Sequence, residues 1–424
     1  MIKILEYGKS DTAEIFSRGA NPVNLSGVVS EIIENVKLNK DQALKFYCEK
    51  FDGVKLDDLE VTADEIAEAY TLVDKKLIET IEKAEENIRF FHEKQKRDGF
   101  KVEKADGVIL GQKITAIENV GLYVPGGTAA YPSTVLMDAV PAKIAGCTNI
   151  VMVTPPMKNG KINPAILVAA KTAGVDRIFK VSGAQAIAAL SYGTESVPKV
   201  DKIVGPGNIY VAEAKRQVFG VVAIDVIAGP SEILIVSDGK SNPKHVACDL
   251  LSQAEHDKMA SAVLVTDSMS FALEVQNEIE NQLKELSRED IARISIDNNG
   301  KIIVANDLKT AIEISNAVAP EHLELCLDNP FDYLEDIKHA GSIFLGRNCP
   351  EALGDYFAGP NHTLPTNGAA RFSSPLSVDD FIKKTQYIYY TDTALNKVCK
   401  DVELFAKSEG LTAHAKSAVI RSEK

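Results

Sequence analysis

The sequence predicts an α/β protein with two parallel-sheet domains, a helical N-terminal segment and a C-terminal helical arm. Three observations carry that reading. From about residue 121, short β-branched runs alternate with helical patterns, the signature of a parallel sheet with helices on its faces. The alternation starts afresh at Ser231, giving a second set. Before residue 100 and after residue 371 the spacing is helical instead.

In the first hundred residues, Val28, Ile32 and Val36, with Val29 and Ile33 beside them, form an apolar stripe at helical spacing. Thr62-Ala63-Asp64-Glu65 is a capping box ahead of another helix. Leu77, Ile81, Ala84, Ile88 and Phe91 step by four and three, as a packed helix face does. All of these read as core.

The first set of strands is expected at 121–124, 150–153, 177–181 and 202–204. The helix between the second and third has Asn163 as cap, Pro164 in its first turn and Gly174 beyond its end. Each strand runs into a loop rich in Gly or Pro: Pro125-Gly126-Gly127, Pro155-Pro156, Ser182-Gly183-Ala184-Gln185 and Gly205-Pro206-Gly207-Asn208. In open α/β sheets ligands bind beyond the C-terminal strand ends, and glycine lets a phosphate or ribose approach the backbone. Neither G-x-G-x-x-G nor G-x-x-x-x-G-K-[ST] occurs, so by themselves these loops read as turn chemistry before they read as a nucleotide site.

The second set is expected at 233–236, 262–265, 302–304, 323–327 and 342–345, with helices at 245–256 and 271–286. Residues 371–424 read as an arm. Pro375 and Ser377-Val378-Asp379-Asp380 mark a helix start, and polar helices follow. Because the arm carries Glu409 and His414, it is expected to fold over an active site, its own or a neighbour's.

The chain has 424 residues, 45% apolar and 25% charged, which suits a soluble globular protein of two or more domains. Its net charge of −13 argues against nucleic acid as a general partner. No apolar run is long enough to cross a bilayer, and the N-terminal apolar stretch is too short for a signal peptide. Six dispersed cysteines without CxxC spacing fit reduced thiols in a cytosol. A cytoplasmic location is expected.

Four polar clusters stand out, and they hold four of the seven histidines. They are Gln253-Ala254-Glu255-His256, Pro320-Glu321-His322, Gly354-Asp355-Tyr356 running on to Asn361-His362, and Ala413-His414. Histidine ligates metals and carries protons near neutral pH. A Gln, two His and an Asp suit zinc where no Cys pair is on offer, and Glu321-His322 then remains free for proton transfer. Gln253 and His256, three apart on an expected helix, would share a face. Each cluster alone has a plain structural reading: an exposed polar face, a surface Glu beside a satisfied His, turn chemistry, or a lone helix His.

Taken as an ordered set, these segments resemble the histidinol dehydrogenase family over essentially the full length. The likeness rests on Gly121-Leu122-Tyr123-Val124-Pro125-Gly126-Gly127, Val181-Ser182-Gly183-Ala184-Gln185-Ala186-Ile187-Ala188, Gly205-Pro206-Gly207-Asn208, Ala228-Gly229-Pro230-Ser231-Glu232 and the clusters at 253–256, 320–323 and 354–362. The resemblance implies two Rossmann-like domains and an intertwined homodimer. Residues 1–20 would be an N-terminal segment, 21–122 with 231–370 a discontinuous substrate and zinc domain, 123–230 an incomplete Rossmann-like NAD-binding domain, and 371–424 the arm that completes the partner subunit's site.

The resemblance also implies oxidation of L-histidinol to L-histidine through bound histidinaldehyde, with two NAD⁺. One zinc ion per subunit would be held by Gln253, His256, Asp355 and His414. Glu321 would activate water and His322 act as general base. Ser231, His362 and Glu409, with His322 and the zinc ligands, would contact substrate, and Tyr123, Gln185 and Asn208 would contact NAD. The rival readings are a zinc dehydrogenase for a related amino alcohol, a metallohydrolase using Glu321, and a non-enzymatic metal- or imidazole-binding protein.

Overall fold

The computed structural model describes residues 1–18, 24–126 and 130–422. Gly127 of the first glycine loop lies outside the described residues. Two compact units are present: Met1–Gln95 with Glu118–Phe381, and Lys96–Ile117 with Ile382–Lys424.

The first unit is built on two wholly parallel sheets. In the six-stranded sheet the order is Lys3–Glu6, Lys301–Val304, Ser261–Thr266, Glu232–Ser237, His322–Cys326, Ser342–Leu345. In the five-stranded sheet it is Arg177–Lys180, Asn149–Thr154, Asn119–Tyr123, Lys202–Val204, Ala223–Ile224. The central strands are continuous apolar runs because both of their faces are covered.

On one face of the larger sheet, Ile233, Ile235 and Leu264 pack under helices Pro243–Ala254, Met269–Leu283 and Glu289–Asn299. On the other, Leu234, Val236 and Leu323 pack under helix Leu308–Val318. Val151, Val153 and Phe179 of the smaller sheet share a core with helices Ser26–Tyr47, Gly183–Tyr192 and Ile209–Val218. The expected strands of both sets are present, as the α/β reading requires. So are the Thr62 capping box and the Asn163-to-Gly174 helix, observed as Pro164–Ala173.

Several expectations need correction. The first hundred residues are not all helical: Lys3–Glu6 is an edge strand, paired with Lys301–Val304. The apolar stripe of the first long helix consists of Val29, Ile32, Ile33 and Val36, while Val28 is exposed. Ile81, Ala84 and Ile88 are buried, but Leu77 and Phe91 at the ends of that face are exposed. The Ser377–Asp380 segment does not start a helix. A single 3₁₀ turn, Val378–Phe381, gives way at once to the strand Ile382–Tyr389.

That strand is an edge of the second unit's three-stranded sheet. It pairs antiparallel with Ile109–Ala116, which pairs antiparallel with Phe100–Glu103. Helices Asp392–Ser408 and Thr412–Val419 complete the unit. No helix among the described residues is long and apolar enough to cross a membrane.

Candidate active site

The polar clusters of the first unit converge at the N-terminal edge of the six-stranded sheet. His322 is the first residue of its strand, and Glu321 precedes it. Glu232 opens the neighbouring strand on one side and Ser342 the neighbour on the other. Helix Pro243–Ala254 runs back across the sheet, so its last turn delivers Gln253 to the same edge. His256 lies just past that helix, in the following turn, so the expectation of two ligands on one helix face is corrected; its N–H still bonds the Gln253 carbonyl at 3.2 Å.

The backbone of Glu232 organises the two central side chains. Its N–H donates to Glu321 Oε2 at 2.9 Å, and its carbonyl meets His322 Nδ1 at 3.1 Å. Gln253 Nε2 stands 3.0 Å from the same Nδ1. A carbonyl only accepts, so a proton on Nδ1 satisfies Glu232. A half-turn of the Gln253 amide then offers its oxygen to the same N–H. When the ring is neutral, this tautomer leaves Nε2 its lone pair. Nε2 is buried, has no hydrogen-bond partner among the described residues and lies 3.6 Å from Asp355 Oδ1. His322 borders a cavity of about 100 Å³ that Asp355, His362, Ser342 and Cys349 also line.

Burial pushes Glu321 up to about 7 and Glu351 up to about 8. Burial works against a charge on His322, but the carboxylates of Glu351, Glu321 and Asp355 outweigh it and hold the ring well above the ordinary imidazole range. Asp355 behaves oppositely: burial would raise it, yet the His322 ring beside it keeps it low. Burial lowers His256 and His362, favouring neutral imidazoles there. His362 meets the Asp355 carbonyl at 2.9 Å through Nδ1 and Thr134 Oγ1 at 3.2 Å through Nε2. This joins the 361–364 loop to helix Pro132–Ala145 of the smaller sheet.

The other expected residues sit on several different elements. Ser231 immediately precedes the Glu232 strand and is half-buried. Tyr123 ends its strand at the C-terminal edge of the five-stranded sheet, and its hydroxyl accepts from Gly183 N–H at 3.1 Å. Gln185 is buried in the first turn of helix Gly183–Tyr192. Asn208 caps helix Ile209–Val218. Glu409 and His414 belong to the second unit, where both are exposed.

Two buried acids escaped the sequence reading. Glu351 approaches His322 Nδ1 at 3.9 Å. Glu324 accepts from Glu351 N–H at 2.8 Å. The available signal was the four-residue step from Glu351 to Asp355, which puts both on one face of helix Glu351–Tyr356. His322, Glu351 and Asp355 each bring a ligand atom within 4.8 Å of the others, so the cluster can hold a cation as well as move protons.

A parallel α/β scaffold with a buried imidazole–carboxylate cluster at one sheet edge, and glycine loops at the edge of a second sheet, defines an enzyme of acid–base chemistry. The family model for histidinol dehydrogenase matches residues 17–422. A curated relative, the histidinol dehydrogenase of Clostridium acetobutylicum, is 54% identical over 99% of both chains. The crystal structure of histidinol dehydrogenase from Elizabethkingia anophelis superposes with a TM-score of 0.94 at 41% identity, covering 99% of this chain and 98% of that one. An acetylating aldehyde dehydrogenase from Geobacillus thermoglucosidasius, at 13% identity and a TM-score of 0.51, shares the fold over 86% of this chain and 98% of its own. The chain belongs to the histidinol dehydrogenase family, and is thus an oxidoreductase.

Proposed function

We propose that this protein oxidises L-histidinol to L-histidine in two steps through bound histidinaldehyde, reducing two NAD⁺, as the last step of histidine biosynthesis. The observation that carries the mechanism is the His322 ring, which borders a cavity together with Asp355; its Nε2 has no hydrogen-bond partner among the described residues, and its other nitrogen is held by Glu232 and Gln253.

In the first step His322 Nε2 takes the hydroxyl proton as a hydride leaves the carbinol carbon. In the second, Glu321 takes a proton from water, which adds to the aldehyde carbon, and a second hydride leaves the resulting diol. Glu321, whose proton is held up to about 7, is poised to exchange it near neutrality. Burial of both groups keeps bulk water from the aldehyde.

Gln253, His256 and Asp355, with His414, are the residues we assign to zinc. Nitrogen and oxygen donors suit that ion, and the burial that keeps His256 neutral favours ligation. When bound, zinc would orient the substrate through its imidazole and amino nitrogens, and NAD would accept hydride. Ser231, His362 and Glu409 would contact substrate, and Tyr123, Gln185 and Asn208 the cofactor. We assign His414 and Glu409 to the partner subunit of a homodimer. Ile388, Leu404 and Phe405 of the second unit are exposed apolar side chains, which supports such an interface.

A second reading follows from the close approach of His322, Glu351 and Asp355. If those three held the ion, His322 would lose the lone pair it needs as a base. Metal analysis of Glu351→Gln separates the two, since only the second reading has that variant lose its ion.

The function is tested by the NADH yield from limiting L-histidinol with excess NAD⁺. Two NADH per histidinol, with histidine as product, is expected. One NADH with free aldehyde would overturn the second step, and bound histidinol without NADH would leave a binding protein.

A further inference from the structure

A buried ring closes behind the 205–208 loop. Lys215, on helix Ile209–Val218, is 2% exposed. Its Nζ donates to the Gly205 carbonyl at 2.5 Å and to Asp225 Oδ1 at 2.6 Å. The other Asp225 oxygen accepts from Gly205 N–H at 2.7 Å. One ion pair therefore takes both backbone polar groups of Gly205.

Gly205 sits at a demanding position. Its φ is +112°, and a Cβ there would stand 2.2 Å from the Tyr123 carbonyl oxygen and 2.8 Å from Asp138 Oδ2. The turn that follows ends at Asn208, whose Oδ1 accepts from Tyr210 and Val211 N–H at 3.0 and 3.2 Å. Asp225 follows the last strand of the same sheet, so the ring fastens the turn to the sheet edge. A buried ion pair contributes little net stability, because apolar side chains of similar size generally do as well. Stability alone gives no reason to bury a lysine here; a fixed loop shape does.

We propose that Lys215 and Asp225 are positioning residues that hold the 205–208 turn in the shape that receives the cofactor. This rests on reading that turn, through Asn208, as part of the NAD site.

The test is a variant carrying Lys215→Met and Asp225→Asn together, which leaves no unpaired charge buried. The KM for NAD should rise roughly tenfold, the scale of a lost charge-assisted hydrogen bond. The kcat, the KM for histidinol and the metal content should stay within about twofold of the unaltered protein. A merely structural role would instead lower the Tm and the active fraction, seen in kcat, with the KM for NAD unchanged, and that result overturns the proposal. Should the double variant not fold, Asp225→Asn alone decides. It should raise the KM for NAD roughly threefold, and an unchanged value again overturns the proposal. Direct NAD titration separates the two levels. If the unaltered protein binds no NAD, the cofactor reading falls and this proposal with it. If both proteins bind NAD equally, only this proposal falls.

Discussion

Glu351 Oε1 lies 3.9 Å from Nδ1 of His322, and its other carboxylate oxygen is buried without a hydrogen-bond partner among the described residues. Against the effect of burial, Glu351 leads the carboxylates that hold the His322 proton well above the ordinary imidazole range. A base must be neutral to take a proton, so kcat/KM should rise as pH moves to the alkaline side. Glu351→Gln keeps the shape and removes the charge. His322 then releases its proton more readily, and the rising limb of the kcat/KM profile should move to lower pH. An unmoved limb would show that Glu351 does not tune the base.

Glu321→Gln probes chemistry and stability together. Oxidation of added histidinaldehyde should fall by roughly 10²- to 10⁴-fold, the usual worth of a general base, while the first oxidation loses less. Equal losses in both would remove the water-activating role. The stability effect has a definite sign. The folded protein holds the Glu321 proton up to about 7, above the ordinary carboxylate value of 4.5. Between those values the native state binds more protons than the unfolded chain, so stability falls as pH rises through the window. Gln carries no such proton, so the variant's Tm should gain on the unaltered protein's from pH 5 to pH 8. A constant difference between the two would contradict the buried-acid account.

Much of the larger architecture was legible because its signals are local. Runs such as Glu232–Ser237 and Ser261–Thr266 are β-branched, short and followed by capped helices, so strand and helix announce themselves. The missed strands lack that. Lys3–Glu6 is four residues at an edge, and its pairing partner lies far along the chain, in Lys301–Val304. Ile382–Tyr389 is exposed along nearly all its length, so no alternation marks a buried face. The site divides the same way. Glu321, His322 and Asp355 sit in dense polar motifs, whereas Glu351 enters the cluster only through a helical turn and Glu232 through its backbone. Neither kind of contact leaves a mark in composition.

Metal retention checks the ligand assignment. His256→Ala and His414→Ala should each drop zinc from about one ion per chain to near none after dialysis, because a four-coordinate site tolerates loss of a protein ligand poorly. His322→Ala should keep its zinc while losing turnover. Zinc retained in both ligand variants, or lost in His322→Ala, would move the site to the His322–Glu351–Asp355 group.

Tyr123 offers the cleanest view of the cofactor side. It ends a central strand, is buried, and its hydroxyl receives the first N–H of helix Gly183–Tyr192. Tyr123→Phe leaves the ring packing intact and deletes one acceptor. If the hydroxyl also meets NAD, the KM for NAD should rise roughly three- to tenfold with kcat little changed, as when binding common to ground and transition states is removed. The unpartnered Gly183 N–H should also lower stability by about 1 kcal/mol. A loss of stability with unchanged KM for NAD would assign the hydroxyl to the fold alone. A raised KM for histidinol instead would place Tyr123 on the substrate side, and the 205–208 turn would then stand without its expected neighbour in the cofactor site.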